Sequence, residues 1–223
     1  MQQFKSSGSI GFAAVGAVAL LWCAGGCASG DGSGSGGGTS AAILSPSVHE
    51  SWAEIGYRLD WQGFAPVPRG ERVTDLEVAG EYVALQDSSS AVTVLEKGDG
   101  SLRWSNQLAT RLTKFVGVHG TESTVWAMSQ GELIGMDVGS GAITTRQPFA
   151  RVVNTAPLVS GGVAVFGTPT GEVLAHLTSN GVKLWGFQTP GAITAPPVDV
   201  DGVAAVVSQS GDVVFLDPQS GTL

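Results

Sequence analysis

Apolar residues in this chain fall into short runs separated by glycine-bearing turns, with no 3.6-residue stripe over residues 73–223. The pattern is plainest over residues 151–190. There the runs 155–159, 163–167, 172–177 and 182–187 are divided by Ser160-Gly161-Gly162, by 168–171 and by 178–181. Runs of about five residues rich in Val, Leu and Phe, joined by Gly-containing turns, predict four antiparallel strands linked by hairpins. Several runs are apolar on both faces, such as Val163-Ala164-Val165-Phe166 and Val203-Ala204-Ala205-Val206-Val207. A sheet needs that only if it is covered on both sides.

The unit recurs. Ser90, Gly131, Gly171 and Gly211 occupy one slot and differ by 41, 40 and 40 positions. Gly100, Gly141, Gly181 and Gly221 form a second series, and Thr74, Thr113, Thr155 and Thr194 a third with nearly the same step. A period of about 40 residues with strand content predicts an array in which each unit buries its faces against neighbours. Four-stranded units of that length are β-propeller blades. The expected fold is therefore all-β, with blades at 73–110, 111–150, 151–190 and an incomplete one at 191–223.

Residues 1–26 read as a signal peptide. A single Lys5 precedes an apolar run over 10–22 that is short for a membrane span and lies at the N-terminus. Ala24-Gly25-Gly26-Cys27 resembles the lipobox of bacterial lipoproteins, which makes Cys27 the expected acylated residue. Residues 27–46 are a Gly/Ser-rich tether, and such a sequence behaves as a flexible coil. Residues 47–72 form a lead-in whose segment 57–61, Tyr-Arg-Leu-Asp-Trp, alternates like the last strand of a repeat.

Composition narrows the function. The net charge is −8, only 13% of residues are charged and there is no basic cluster, so nucleic acid is excluded as the expected partner. Cys23 and Cys27 are the only cysteines, so residues 28–223 carry no disulfide and no thiol chemistry.

Gly-x-Val near the second strand, Gly-Asp/Glu-Val/Leu opening the third, and Leu-Asp-x-x-Ser-Gly-x-Leu-x-Trp closing the unit resemble the quinoprotein-like (PQQ-like) propeller repeat. The best matches are 215–223, with Asp217 and Gly221, and 135–141, with Asp137 and Gly141. Trp104 and Trp185 stand at the repeat's tryptophan, whereas the second unit has Thr145 there. With the lipoprotein signal, the chain is similar to BamB-type outer-membrane assembly lipoproteins. The resemblance implies a scaffold without catalysis or cofactor, anchored to the outer membrane and facing the periplasm. It also implies envelope proteins as partners, either the β-barrel assembly machinery or its clients.

Propellers of this repeat normally have seven or eight blades, so the four units are expected to be part of a larger ring. The other reading is a four-blade ring closed by 57–61. The rival function is a pyrroloquinoline-quinone dehydrogenase fragment. Such enzymes use a Trp, a vicinal disulfide and a calcium ion beside a catalytic Asp, and here the cysteines and a recognisable calcium loop are missing. Asp137 and Asp217 read as hairpin holders rather than metal ligands. Asp199 and Asp201 read likewise as turn residues. His49, His119 and His176 have no metal spacing, and His176 reads as a packing residue. Trp104, Trp126 and Trp185 read as packing between blades, with no catalytic, cofactor or metal residue expected.

Overall fold

The computed structural model describes residues 52–223. The signal peptide, Cys23, Cys27, the tether and His49 lie outside the described residues. A first unit ends at Asp60 and a second runs from Trp61 to Leu223. In the first, one helical turn over 52–54 is followed by Trp52 and Tyr57 stacked edge to face at 5.8 Å.

The second unit is built from four antiparallel sheets. Blade 1 comprises β1 (Val73–Ala79), β2 (Tyr82–Asp87), β3 (Ala91–Glu96) and β4 (Leu102–Gln107). Blade 2 comprises β5 (Phe115–Gly120), β6 (Thr124–Ser129), β7 (Glu132–Asp137) and β8 (Ile143–Pro148). Blade 3 comprises β9 (Leu158–Ser160), β10 (Val163–Gly167), β11 (Glu172–Leu177) and β12 (Lys183–Gln188). Blade 4 has three strands, β13 (Val198–Val200), β14 (Val203–Val207) and β15 (Val213–Leu216). Each sheet is a simple meander in sequence order, and the whole is the all-β propeller that the repeat predicts.

Residues 57–61, the closing segment of the alternative four-blade reading, form no strand, and among the described residues β15 pairs with β14. The ring-closing strand is not made because its last residue, Trp61, is held elsewhere: its indole N–H donates to the Lys97 carbonyl at 2.6 Å, in the β3–β4 turn of blade 1.

The core lies between blades. Tyr82, Ala84, Val92 and Val94 of blade 1 pack on Val118, Val125, Ala127, Ile134 and Met136 of blade 2. Trp126, Met128 and Leu133 of blade 2 meet Ala164, Phe166 and Leu174 of blade 3. Leu158, Val163, Val165, Val173 and Ala175 of blade 3 meet Ala204, Val206 and Leu216 of blade 4. Alternation along each strand sends odd and even residues to opposite neighbours, which is why these strands are apolar throughout.

Backbone geometry explains the punctuation. Gly100, Gly141, Gly181 and Gly221 all have φ between 70 and 73°, a left-handed turn that glycine adopts without steric cost. Ser90 stands where Gly171 and Gly211 stand and takes the same conformation at φ 75°. Its hydroxyl donates to the Thr110 and Thr113 carbonyls at 3.1 and 3.2 Å, which offsets the strain.

Candidate interaction surfaces

The positions singled out by the repeat come together as one device. Gly100, Gly141, Gly181 and Gly221 each close a β3–β4-type turn, and each is covered by a side chain from the preceding unit. Trp104 reaches from β4 to the next blade, where its N–H donates to the Val138 carbonyl at 2.9 Å and its ring lies on Gly141. Trp185 does the same from β12, donating to the Pro218 carbonyl at 2.9 Å over Gly221. Trp61 does so on Gly100. In each case the acceptor lies three residues before the glycine. A Cβ on Gly141 or Gly221 would come within 2.7 or 2.5 Å of an indole carbon, so glycine is needed for contact as well as for φ.

Blade 2 has no such tryptophan, and two residues divide its work. Gln147, two positions beyond Thr145, donates from Nε2 to the Thr178 carbonyl at 2.5 Å, again three residues before the glycine, Gly181. Trp126 from β6 supplies the apolar mass, lying over Gly135 beside Thr145. Sequence reasoning noticed the gap at Thr145 but missed Gln147. A period-2 reading of β8 could have found it, because residues two apart share a face.

The aspartates at 137 and 217 act within their own turns. Asp137 Oδ1 accepts from the Ser140 amide at 2.8 Å and its hydroxyl at 2.7 Å. Asp217 Oδ1 accepts from the Gln219 and Ser220 amides at 2.9 and 2.8 Å. Bonding to serine holds both carboxyls below the usual carboxylate range, through the Ser140 hydroxyl first at Asp137 and the Ser220 amide first at Asp217. Asp199 accepts from the Gly202 amide at 3.0 Å, in a turn where Asp201 has φ 53°. His119 pairs with Glu77 at 3.2 Å, and His176 packs against Phe149 and Phe166. Trp104, Trp126 and Trp185 are all engaged between blades, so these residues do not fit a stacked quinone.

The turns at one end of the blades are acidic, while the connector end carries charges of both signs. The β1–β2 and β3–β4 turns and their counterparts carry Glu81, Asp99, Glu122, Asp137, Asp201 and Asp217, opposed by Lys97. The connectors between blades, at the other end, carry Arg111, Lys114 and Arg151. Arg111 pairs with Glu71 at 2.9 Å, and Arg151 with Glu172 at 3.3 Å. Shallow grooves of about 480 and 330 Å³ run along this connector end, the larger lined by Ser89, Gln107, Thr110 and Arg111. Leu112 projects beside them almost fully exposed.

Among the described residues, no blade follows blade 4. With the 40-residue step, its Val213 and Phe215 correspond to Val173 and Ala175, which blade 4 itself covers in blade 3. In blade 4 these residues are 57% and 50% exposed, and Val198 and Val207 beside them are also exposed. Among the described residues, β15 pairs with β14 alone.

The sheets and their turns define a β-propeller of PQQ-like repeats. Over residues 88–223 the chain matches the family described as outer membrane protein assembly factor BamB, more than half of its length, and it belongs to that family. BamB from Moraxella catarrhalis superimposes with a TM-score of 0.58 at 21% identity, covering 74% of this chain and 51% of that one. Two computationally designed proteins share the fold. Ika4 has a TM-score of 0.58 at 14% identity and is covered over 96% of its length by 71% of this chain; Ika8 has 0.54 at 16%, with 45% and 64%. The chain thus spans about half the length of the Moraxella BamB structure. No curated protein matches the chain.

Proposed function

We propose that the protein is a non-catalytic scaffold of the BamB type. It holds envelope proteins during outer-membrane protein assembly and is anchored facing the periplasm by an acylated Cys27 at the head of the 27–46 tether, after removal of residues 1–26. The observation that carries this reading is the family match over residues 88–223. Blades locked together by the Trp and Gln docking form a rigid body, and rigid bodies present loops for binding at low entropic cost. The acidic turns and the connector end, with Leu112 and the two grooves, are the surfaces offered to partners.

The test is recovery of β-barrel assembly components with the tagged protein from detergent-solubilised membranes. Their consistent absence would overturn the assembly role. Anchoring is tested separately: the wild-type protein should incorporate labelled palmitate and fractionate with membranes, whereas Cys27→Ser should do neither. A Cys27→Ser protein still labelled with palmitate would refute the anchor.

A further inference from the structure

We propose that the connector end docks on an anionic lipid bilayer, with Leu112 and Val152 entering the headgroup layer and Arg111, Lys114 and Arg151 binding its anionic headgroups. The inference needs neither the assembly role nor acylation of Cys27. It leaves the acidic turns at the opposite end facing water and open to protein partners.

Its first support is an exposed pair of residues that recurs with the repeat. Arg111-Leu112 and Arg151-Val152 are each an arginine followed by an aliphatic residue, and they stand 40 positions apart on the connectors into blades 2 and 3. Each connector runs between two blades, and its tip is still uncovered: Leu112 is 96% exposed and Val152 55%. A protein hot spot is an apolar residue ringed by contacts that exclude water. Here each aliphatic tip instead follows a cation, the pairing that lies in a bilayer interface.

The second support is the way Leu112 is held. Arg111 and Leu112 form the tip of a turn closed by the Thr113 amide, which donates to the Thr110 carbonyl at 3.0 Å. The buried Ser90 hydroxyl donates to both ends of that turn, the Thr110 and Thr113 carbonyls. Ser90 keeps a left-handed φ of 75° in a slot that is glycine in the other three blades. Glycine would relieve the backbone but could not grip the turn. Strain retained at the base of an exposed leucine points to a use for that leucine.

The third support is charge. Both signs occur at this end, but the cations are the more exposed. The Arg111 and Arg151 side chains are 67% and 63% exposed, whereas their partners Glu71 and Glu172 are each 16% exposed. Lys114 is exposed and makes no ion pair among the described residues. Cations in that position are drawn to anionic lipid. The turns at the other end, with Glu81, Glu122, Asp137 and Asp217, are repelled by it, so the field of the chain orients the connector end toward the bilayer.

An environment-sensitive dye on Thr110→Cys tests this in the full 223-residue chain carrying Cys23→Ser and Cys27→Ser, which leaves one thiol and no acylation at residue 27. On phosphatidylcholine vesicles containing phosphatidylglycerol, the dye emission should shift to the blue and be quenched by brominated lipid chains. A dye on Glu81→Cys, in an acidic turn, should show neither response. Leu112→Asp, at an exposed position, should abolish the shift with an unchanged far-UV spectrum, and Val152→Asp should weaken it. Lys114→Gln should lower the ratio of contacted to free dye about fivefold, the share of one cation. Ser90→Gly should lower that ratio without loss of stability, and an unchanged ratio would refute the fastening of the turn. A dye at 110 that stays in water on these vesicles would overturn the proposal, and shielding seen only on native membranes would assign the face to a membrane protein instead. An equal response on phosphatidylcholine alone would refute recognition of anionic headgroups.

Discussion

The junction between blades 1 and 2 and the junction between blades 2 and 3 solve one problem with different residues. At the first, Trp104 supplies both the apolar plate over Gly141 and a hydrogen bond to the Val138 carbonyl, to which Arg103 also donates at 3.3 Å. At the second, Gln147 lies against Gly181 and bonds to Thr178, while Trp126 covers Gly135 of its own blade and packs against blade 3. What is preserved is the acceptor, a carbonyl three residues before a left-handed glycine, and the need to satisfy it when it is covered. Trp104 gains both terms from one side chain, whereas the second junction leaves Gln147 Oε1 buried without a partner. The first junction should therefore be the more robust to chemical denaturant and the more dependent on a single residue.

The largest test of that contrast is Trp104→Ala. It removes a buried indole together with its hydrogen bond and should cost about 3–5 kcal/mol in urea unfolding. Trp185→Ala should cost less, because that ring is only half-buried. A loss below about 1 kcal/mol for Trp104→Ala, well short of what a buried aromatic contributes, would remove the docking device from the account of stability.

Next comes Gly135→Val. A Cβ there would stand 2.7 Å from the Trp126 ring and 2.8 Å from the Thr145 methyl, so overpacking should cost about 1–3 kcal/mol. Tolerance of valine without loss would show that Trp126 does not fill the place of the missing tryptophan. Gln147→Ala should cost about 0.5–1.5 kcal/mol for one hydrogen bond. If it cost as much as Trp104→Ala, the proposed division of work in blade 2 would be wrong.

The smallest effects concern pH, and the two junctions should respond with opposite sign. His176, packed on Phe149 and Phe166, has its pKa lowered below 6.5 by burial. The unfolded chain then binds the proton first, so stability is lost as pH falls from 6.5 through the folded pKa. Asp75, at the first junction, accepts from the Val118 amide at 2.8 Å, yet burial raises its pKa above 3.8. Here the folded chain binds the proton first, so stability falls as pH rises from 3.8 through the folded pKa. Each slope is bounded by about 1.4 kcal/mol per pH unit. Unfolding titrations of His176→Gln and Asp75→Asn should each lack the corresponding slope. A wild-type slope retained in either variant would reassign it to another group.

Much of this was readable from residues alone because it is local. A glycine at the end of a hairpin, an aspartate before it and a five-residue apolar run act within one turn or one strand, and their recurrence near 40 residues exposes the blade. Trp104 and Trp185 were legible for the same reason, as fixed steps in the repeat. Which of blade 4's valines and phenylalanine are exposed was not legible, because only the packed blades show which face each strand residue turns to a neighbour.

The sequence by itself determined the blade, its period and its turns, because left-handed glycine and alternating burial are properties of neighbouring residues. Tertiary structure alone decided that Gln147 and Trp126 replace a tryptophan, that Trp61 serves blade 1 instead of closing a ring, and that burial moves Asp75 and His176 in opposite directions. Those outcomes depend on groups 31 to 43 residues apart brought together by the stacking of blades. Period-40 spacing says that two units touch, but not which side chain reaches the shared carbonyl.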